Sequence, residues 1–156
     1  MKCRYWDLDY DYDMITSWLK EYEYNSLPPK NILSNYGVII EDDEAICAAA
    51  LYIDTGEKKS GFAYMYGIFA NPVIGKIKLY KAMIMCLDEI KALAKQNGIE
   101  LIYTTTGEDA LCKLYERKDM TLVENNLSAY VMEIDSTPKD LRWLMNDEIE
   151  NLMEQK

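Results

Sequence analysis

The hydrophobic and polar positions change period several times along the chain, and each change marks an element. Residues 61–70 are apolar and aromatic throughout and carry no charge. A strand with no polar face is expected to be covered on both sides. Asn71 and Pro72 end it, because proline removes a ladder donor and restricts the residue before it. From about Lys76 to Lys95 the period becomes helical, with Tyr80, Met83, Ile84, Leu87, Ile90, Leu93 and Ala94 on one face. Asn97 and Gly98 close that helix.

The remaining segments arrange themselves around this strand and helix. Residues 3–6 read as a short first strand. Aspartate then occupies every second position from Asp7 to Asp13. That spacing resembles the opening of a calcium loop, but Tyr12 stands where the sharp turn needs glycine. Trp18 stands where the closing glutamate would bind. The aspartates suit the positive end of a helix instead, and its apolar positions are Met14, Ile15, Trp18, Leu19 and Tyr22. Residues 25–30 form an irregular link, followed by a short helix through Leu33. Tyr22, Tyr24 and Tyr36 flank this link, either as walls of a pocket or as packing under a loop.

Strands at 36–40, 45–53 and 61–70, joined by polar turns, predict an antiparallel meander. A further strand at 100–106 follows the long helix, so the pair it makes is parallel and right-handed. A crevice is expected where that parallel pair ends. A short helix spans 107–118 with Ala110, Leu111, Leu114 and Tyr115 on one side. Residues 122–123 and 128–134 supply closing strands around a turn at 124–126. Ser136, Thr137 and Pro138 start a last helix. Its stripe of Leu141, Leu144, Met145, Ile149, Leu152 and Met153 packs on the domain or meets a second subunit. The organisation expected is one domain over residues 1–134 and an amphipathic helical extension over 135–156.

The composition narrows the chemistry. The chain has 156 residues, of which 49% are hydrophobic, enough for one domain with a real core. It contains no histidine, which excludes Ser-His and Cys-His catalysis. The four cysteines, Cys3, Cys47, Cys86 and Cys112, are widely spaced. They predict reduced thiols and no metal site. No apolar run reaches the length of a membrane span, and the first residues have no apolar signal core, so the expected location is the cytoplasm. The formal net charge of −10 argues against nucleic-acid binding. Such acidity either keeps the surface solvated or attracts a basic partner.

In this order the elements resemble the GNAT family of N-acetyltransferases, over roughly residues 1–134. Two segments carry the resemblance. One is the 61–70 strand with its exit Ile68, Phe69, Ala70, Asn71, Pro72 and the helix after it. The other is 102–107 followed by 110–124, similar to the family's helix that ends in Leu-Tyr-Glu-Lys before a Gly-Phe turn. Here Asp119 and Met120 stand in place of Gly-Phe. Small GNAT-like proteins of phages and bacteria have similarly loose sequences.

The resemblance implies an α+β (α/β mixed) fold. Its sheet is mixed, mostly antiparallel, with a parallel pair splayed at the centre and helices on its faces. It also implies acetyl-CoA as co-substrate. The backbone of Ile68, Phe69 and Ala70 would pair with the pantetheine amides. Gly75, Lys76, Ile77 and Lys78 would receive the pyrophosphate. The family usually has two small residues in that turn, and this chain keeps only Gly75, with Ile77 where the second is expected. Thr105, with its neighbours Thr104 and Thr106, would hydrogen-bond cofactor or substrate, or serve as β-favouring residues. Tyr115 matches the tyrosine that protonates the departing thiolate. A base is less clear, with Tyr64, Tyr66 and Glu41 as candidates beside an amine that is already neutral.

The implied function is acetyl transfer to a primary amine of a small molecule or protein, with no metal. The last helix offers a homodimer contact. The alternative is a GNAT-like interaction protein without catalysis, in its sharpest form an acidic phage-type inhibitor of a host protein.

Overall fold

The computed structural model describes residues 1–23, 27–53, 61–124 and 128–133. In chain order the elements are β1 (Lys2–Tyr5), α1 (Leu8–Glu21), a single 3-10 turn (Lys30–Ile32), β2 (Tyr36–Glu41), β3 (Ala45–Ile53) and β4 (Phe62–Ala70). Then follow α2 (Lys76–Gln96), β5 (Leu101–Thr106), α3 (Asp109–Arg117), β6 (Thr121–Glu124) and β7 (Ser128–Glu133). The strands form one sheet in the order β1-β2-β3-β4-β5-β7-β6. Every pair is antiparallel except β4 with β5. The expected mixed sheet with a central parallel pair is therefore the sheet observed. The proposed last helix lies outside the described residues, as do the turn expected at 54–60, positions 125 and 126 of the turn expected at 124–126, and Tyr24. Among the described residues, no helix is long and apolar enough to cross a membrane.

Two cores form because strand side chains alternate between faces. Val38, Ile40, Cys47, Ala49 and Leu51 pack with α2 and α3, whereas Ile39, Ala48, Ala50 and Phe69 pack under α1. Among the described residues, the α1 core includes none from β5, β6 or β7. This departs from the expectation of a β4 covered on both sides. Ala63 and Met65 are buried under α2, but Tyr64 and Tyr66 on the opposite face are only half-buried and Phe62 is exposed. The residues of β4 are apolar on both faces because one face is core and the other is largely aromatic.

Helix α2 is also rotated from the expected stripe. Ala82 and Cys86 are fully buried, while Tyr80 is exposed and contacts Arg117. Small side chains face β2 and β3 because the sheet beneath is itself lined with Cys47 and Ala49. Close approach of helix and sheet favours small residues at the contact, a preference that hydrophobic period does not register.

Asp7 caps α1 by accepting from the Asp9 N–H at 3.0 Å. The aspartate run is thus a helix start, and it holds an unexpected member. Asp11 is completely buried and receives both terminal nitrogens of Arg4 at 2.7 Å. Gly37 sits against the Trp6 ring, where an added Cβ would lie 2.4 Å from a ring carbon, so only glycine fits.

The Asp119–Met120 departure proves to be one of residue type only. Asp119 takes a left-handed conformation with φ 58°, the Met120 N–H bonds to Tyr115 O at 3.1 Å, and the Met120 side chain is buried. Aspartate thus occupies a glycine position and methionine fills the aromatic one. A left-handed non-glycine residue costs about 1–2 kcal/mol, partly offset by glycine's larger freedom in the unfolded chain. Asp119→Gly is therefore expected to stabilise the fold by about 0.5 kcal/mol, read as a higher midpoint in urea.

Candidate functional site

The site is a fork in the sheet. β4 and β5 pair at only three rungs, Phe62 with Leu101, Ala63 with Ile102 and Tyr64 with Tyr103. Beyond them β4 stays with β3 as far as Ala70, while β5 stays with β7 as far as Thr106. Two local devices open the gap. First, Leu51 faces Met65 but Ala50 faces Gly67, so Tyr66 is an extra residue in β4. Such a bulge bends the strand that carries it. Gly67 has φ 153° with open space at its Cβ position. The bulge also shifts parity, so that Tyr66 and Phe69, rather than Tyr66 and Ile68, share the α1 face. Second, the Thr104 hydroxyl donates to Met65 O at 3.0 Å. A side chain here satisfies a carbonyl that the diverging backbone can no longer reach.

A cleft of about 280 Å³ opens beside the fork. Its walls are Trp18 from α1, the Ile68–Phe69–Ala70 end of β4, Leu79 and Met83 from α2, and Leu111 from α3; Glu108, just before α3, completes the lining. Mostly apolar walls with one charged group suit a small-molecule pocket. Of the residues expected here, Ile68, Phe69 and Ala70 do line the cleft.

The exit of β4 is fixed by Asn71, which is buried. Its N–H bonds to Ile46 O at 2.9 Å, its side-chain amide donates to Ala45 O at 2.8 Å, and its side-chain oxygen accepts from the Val73 N–H at 3.2 Å. This locks the turn that leads to Gly75, the residue preceding α2. Gly75, at the N-cap, brings no capping side chain to that helix start, and its first turn has no acidic residue but Lys76 and Lys78 instead. Basic residues there run against the helix dipole, so the end is suited to an external anion.

The expected pyrophosphate residues separate on inspection. Gly75 has nothing within 4 Å of a Cβ position, and Lys76 is exposed. Ile77 is 77% exposed, so its side chain projects into solvent. Lys78 reaches the other way and pairs with Asp42 at 3.0 Å; this lysine holds Asp42 below the usual carboxylate range.

Tyr115 lies on the α2–α3 side of the sheet and is fully buried, edge-on to Tyr130 with ring centroids 5.2 Å apart. Its hydroxyl neighbours Thr104 at the fork yet, among the described residues, has no hydrogen-bond partner of good geometry. Burial raises its pKa above that of an ordinary phenol. Thr105 points to the opposite face, its hydroxyl 3.3 Å from the Tyr64 hydroxyl, so the two expected polar groups do not meet. Glu41 is absent from the cleft lining and bonds to Arg4 and Lys2. Arg4, above all, holds its carboxyl low. Among the described residues, no group of three or more acidic or sulfur side chains could hold a metal.

The sequence reading missed Asn71 as a lock, Gly67 as a bulge residue and Glu108 as a cleft residue. An Asn-Pro pair directly after a strand was a signal for the first.

No protein-family model and no curated protein sequence matches the chain. Solved structures do. An aminoglycoside 6'-acetyltransferase type Ii matches with a TM-score of 0.68 at 14% identity, covering 88% of this chain and 100% of that one. An aminoglycoside 6'-N-acetyltransferase complexed with coenzyme A matches with a TM-score of 0.67 at 13% identity, covering 89% and 100%. An acetyltransferase of the GNAT family from Staphylococcus aureus Mu50 matches with a TM-score of 0.62 at 14% identity, covering 86% and 99%. The chain has a GNAT-like N-acetyltransferase fold.

Proposed function

We propose that the chain is an acetyl-CoA-dependent N-acetyltransferase that acts on a primary amine of a small molecule or protein. The observation that carries this reading is the run from the fork along β4 to the uncapped start of α2. Beyond Tyr64 the β5 side of β4 has no paired strand, which suits the amides of an extended pantetheine arm. The α2 start suits its pyrophosphate, with Gly75 and Lys76 nearest and Ile77 turned away. Tyr115, a buried phenol beside Thr104 of the fork with no hydrogen-bond partner of good geometry among the described residues, suits protonation of the leaving sulfur.

In the reaction the neutral amine attacks the thioester carbonyl. The C–N bond forms, the C–S bond breaks, the thiolate takes the Tyr115 proton, and the new amide loses its extra proton through solvent, which restores the phenol. An amine free at neutral pH makes a dedicated carboxylate base unnecessary. The coenzyme A in the structure of the 6'-N-acetyltransferase supports the choice of cofactor.

Calorimetric titration with acetyl-CoA tests the reading. Saturable binding is expected, weakened at least about tenfold by Gly75→Asp through charge repulsion and lost access. Because the Gly75 Cβ position is open, the variant should melt with the parent chain. No binding at millimolar acetyl-CoA overturns the proposal.

A second reading has its own observation. Val73 and Ile77, each 77% exposed, put two large apolar side chains beside the anion position. That favours an interaction protein without catalysis, including an acidic inhibitor of a basic host partner, and it predicts no coenzyme binding. Homodimer formation through residues 135–156 is a further proposal, checked by sedimentation of the full chain against a truncation at 134.

A further inference from the structure

Thr104 is the first residue of β5 beyond the last rung shared with β4, Tyr64 with Tyr103. It is completely buried, and its hydroxyl donates to Met65 O at 3.0 Å. On the other edge of β5 it stands opposite Tyr130 of β7, so the two side chains share a face of the sheet. The Tyr130 ring in turn lies edge-on to Tyr115 of α3, with centroids 5.2 Å apart. Register on β5 and packing on α3 therefore bring Thr104 and Tyr115 to one spot. There the two hydroxyls are neighbours. Both residues are shut off from solvent, and the phenol has no hydrogen-bond partner of good geometry among the described residues.

A buried threonine in a strand needs one acceptor, and Met65 O supplies it. That accounts for a hydroxyl at position 104. It does not account for a phenol left beside it without a good bond. A threonine hydroxyl has one proton and two lone pairs. While its proton lies on Met65 O, it offers Tyr115 only lone pairs and has no proton to give. Rotation about the C–O bond of Thr104 reverses this and brings the proton to the Tyr115 oxygen. The rotated state is favoured when Tyr115 is negatively charged, because a hydrogen bond to an ionised acceptor is about twice as strong as a neutral one. Burial raises the pKa of Tyr115, and the Thr104 hydroxyl works against that rise.

We propose that Thr104 is the positioning residue of Tyr115, its hydroxyl resting on Met65 O and turning to the phenol oxygen as the phenol gives up its proton. This deepens the acetyltransferase reading and rests on it. The Tyr115 proton passes to the thiolate sulfur as the C–S bond breaks. The Thr104 proton stays on its own oxygen and turns from Met65 O to the phenolate. When solvent returns a proton to Tyr115, the Thr104 hydroxyl turns back. The carbonyl set free by the splitting strands is thus the resting place of the proton that steadies the acid.

The test is turnover of acetyl-CoA with hydroxylamine, a small amine that is unprotonated near neutrality, read as acetohydroxamate formed above the uncatalysed rate. Thr104→Val keeps the shape and removes the hydroxyl. It should lower kcat at least about tenfold, with KM for acetyl-CoA within about twofold of the parent. Thr104→Ser, which keeps a hydroxyl, should recover most of that loss. In a Tyr115→Phe chain, Thr104→Val should cost no more than about a further twofold, because no phenolate is left to receive its proton. An equal loss in both backgrounds, a loss confined to acetyl-CoA affinity, or an unchanged kcat overturns the proposal. Thr104→Ala, which leaves room for water at Met65 O, replaces the valine variant if that chain does not fold. If neither folds, the hydroxyl is a structural prop and the proposal falls. A parent chain that does not bind acetyl-CoA removes the transferase reading and the role of Thr104 with it. A parent that binds acetyl-CoA without forming hydroxamate removes Tyr115 and Thr104 from the chemistry and leaves coenzyme binding standing. Turnover in the parent with an unchanged Thr104→Val removes Thr104 alone.

Discussion

In acetyl transfer to a primary amine, Tyr115→Phe is expected to lower kcat about 100-fold with acetyl-CoA affinity unchanged. The folded state should be no less stable. Both halves of this expectation come from one atom. The Tyr115 hydroxyl is buried beside Thr104 without a hydrogen-bond partner of good geometry among the described residues, and an orphaned buried hydroxyl costs about 1–3 kcal/mol. Removing it while keeping the ring against Tyr130 relieves that cost. A purely structural tyrosine would gain nothing from carrying it, whereas an acid poised for a sulfur atom needs it.

The pH dependence of stability reports the burial of the phenol, and kcat reports its role. Burial raises the Tyr115 pKa, so the folded state favours the neutral phenol. That preference is neutral with respect to stability below the ordinary phenol value near 10 and works against the folded state as pH rises above it, because the unfolded chain then loses the proton more readily. The parent should therefore lose stability above about pH 10 more steeply than the phenylalanine variant. Unchanged kcat would dismiss Tyr115 as the acid and leave acetyl transfer itself standing. A large drop in melting temperature would mean that the hydroxyl has a partner after all.

Asp11→Asn should cost about 3 kcal/mol of stability, the lower end of the range for breaking a buried ion pair, since Arg4 keeps some contact with solvent. Asp11 takes two charge-assisted bonds from Arg4 and a third from the Asp7 N–H, all at 2.7 Å. Arg4 also donates to Glu41 at 2.9 Å. One guanidinium thus ties β1 to α1 and β2. Its pKa is raised, chiefly by the bond to Asp11, so it stays charged and asparagine leaves it under-compensated. Glu41→Gln should cost less than about 1 kcal/mol, because Glu41 is partly exposed and water replaces the lost contact. Urea denaturation of the two variants measures the contrast, and equal losses would refute Asp11 as the stronger of the two carboxylate partners of Arg4.

Much of the fold was legible because hydrophobic period reports local geometry directly. The β3 strand was bounded as observed, and α2 was placed to within a residue. The stripe of α2 was misjudged at Tyr80 and Cys86 because periodicity ranks side chains by polarity, while close packing on an alanine-rich sheet ranks them by size. The candidate site was legible only where chemistry follows chain order. The β4 end and the Gly75 turn could be named from the strand-to-helix junction, and in the fold β4 ends at Ala70 with Gly75 directly before α2. Thr104, chosen by the fork, could not be told from Thr105, because the two differ only in the face they present.

The sequence by itself determined the order of strands and helices, the absence of histidine chemistry and the residues available at the β4–α2 junction. Those properties depend on residue type and on contacts a few positions away. The tertiary structure decided where the sheet splits, which tyrosines stand together and which aspartate is buried. Each of these depends on register. The bulge at Tyr66 adds one residue on one strand, and with a side-chain period of two, that single residue changes which face every later side chain occupies. No local pattern encodes that choice, because it is made between strands that are distant in the chain.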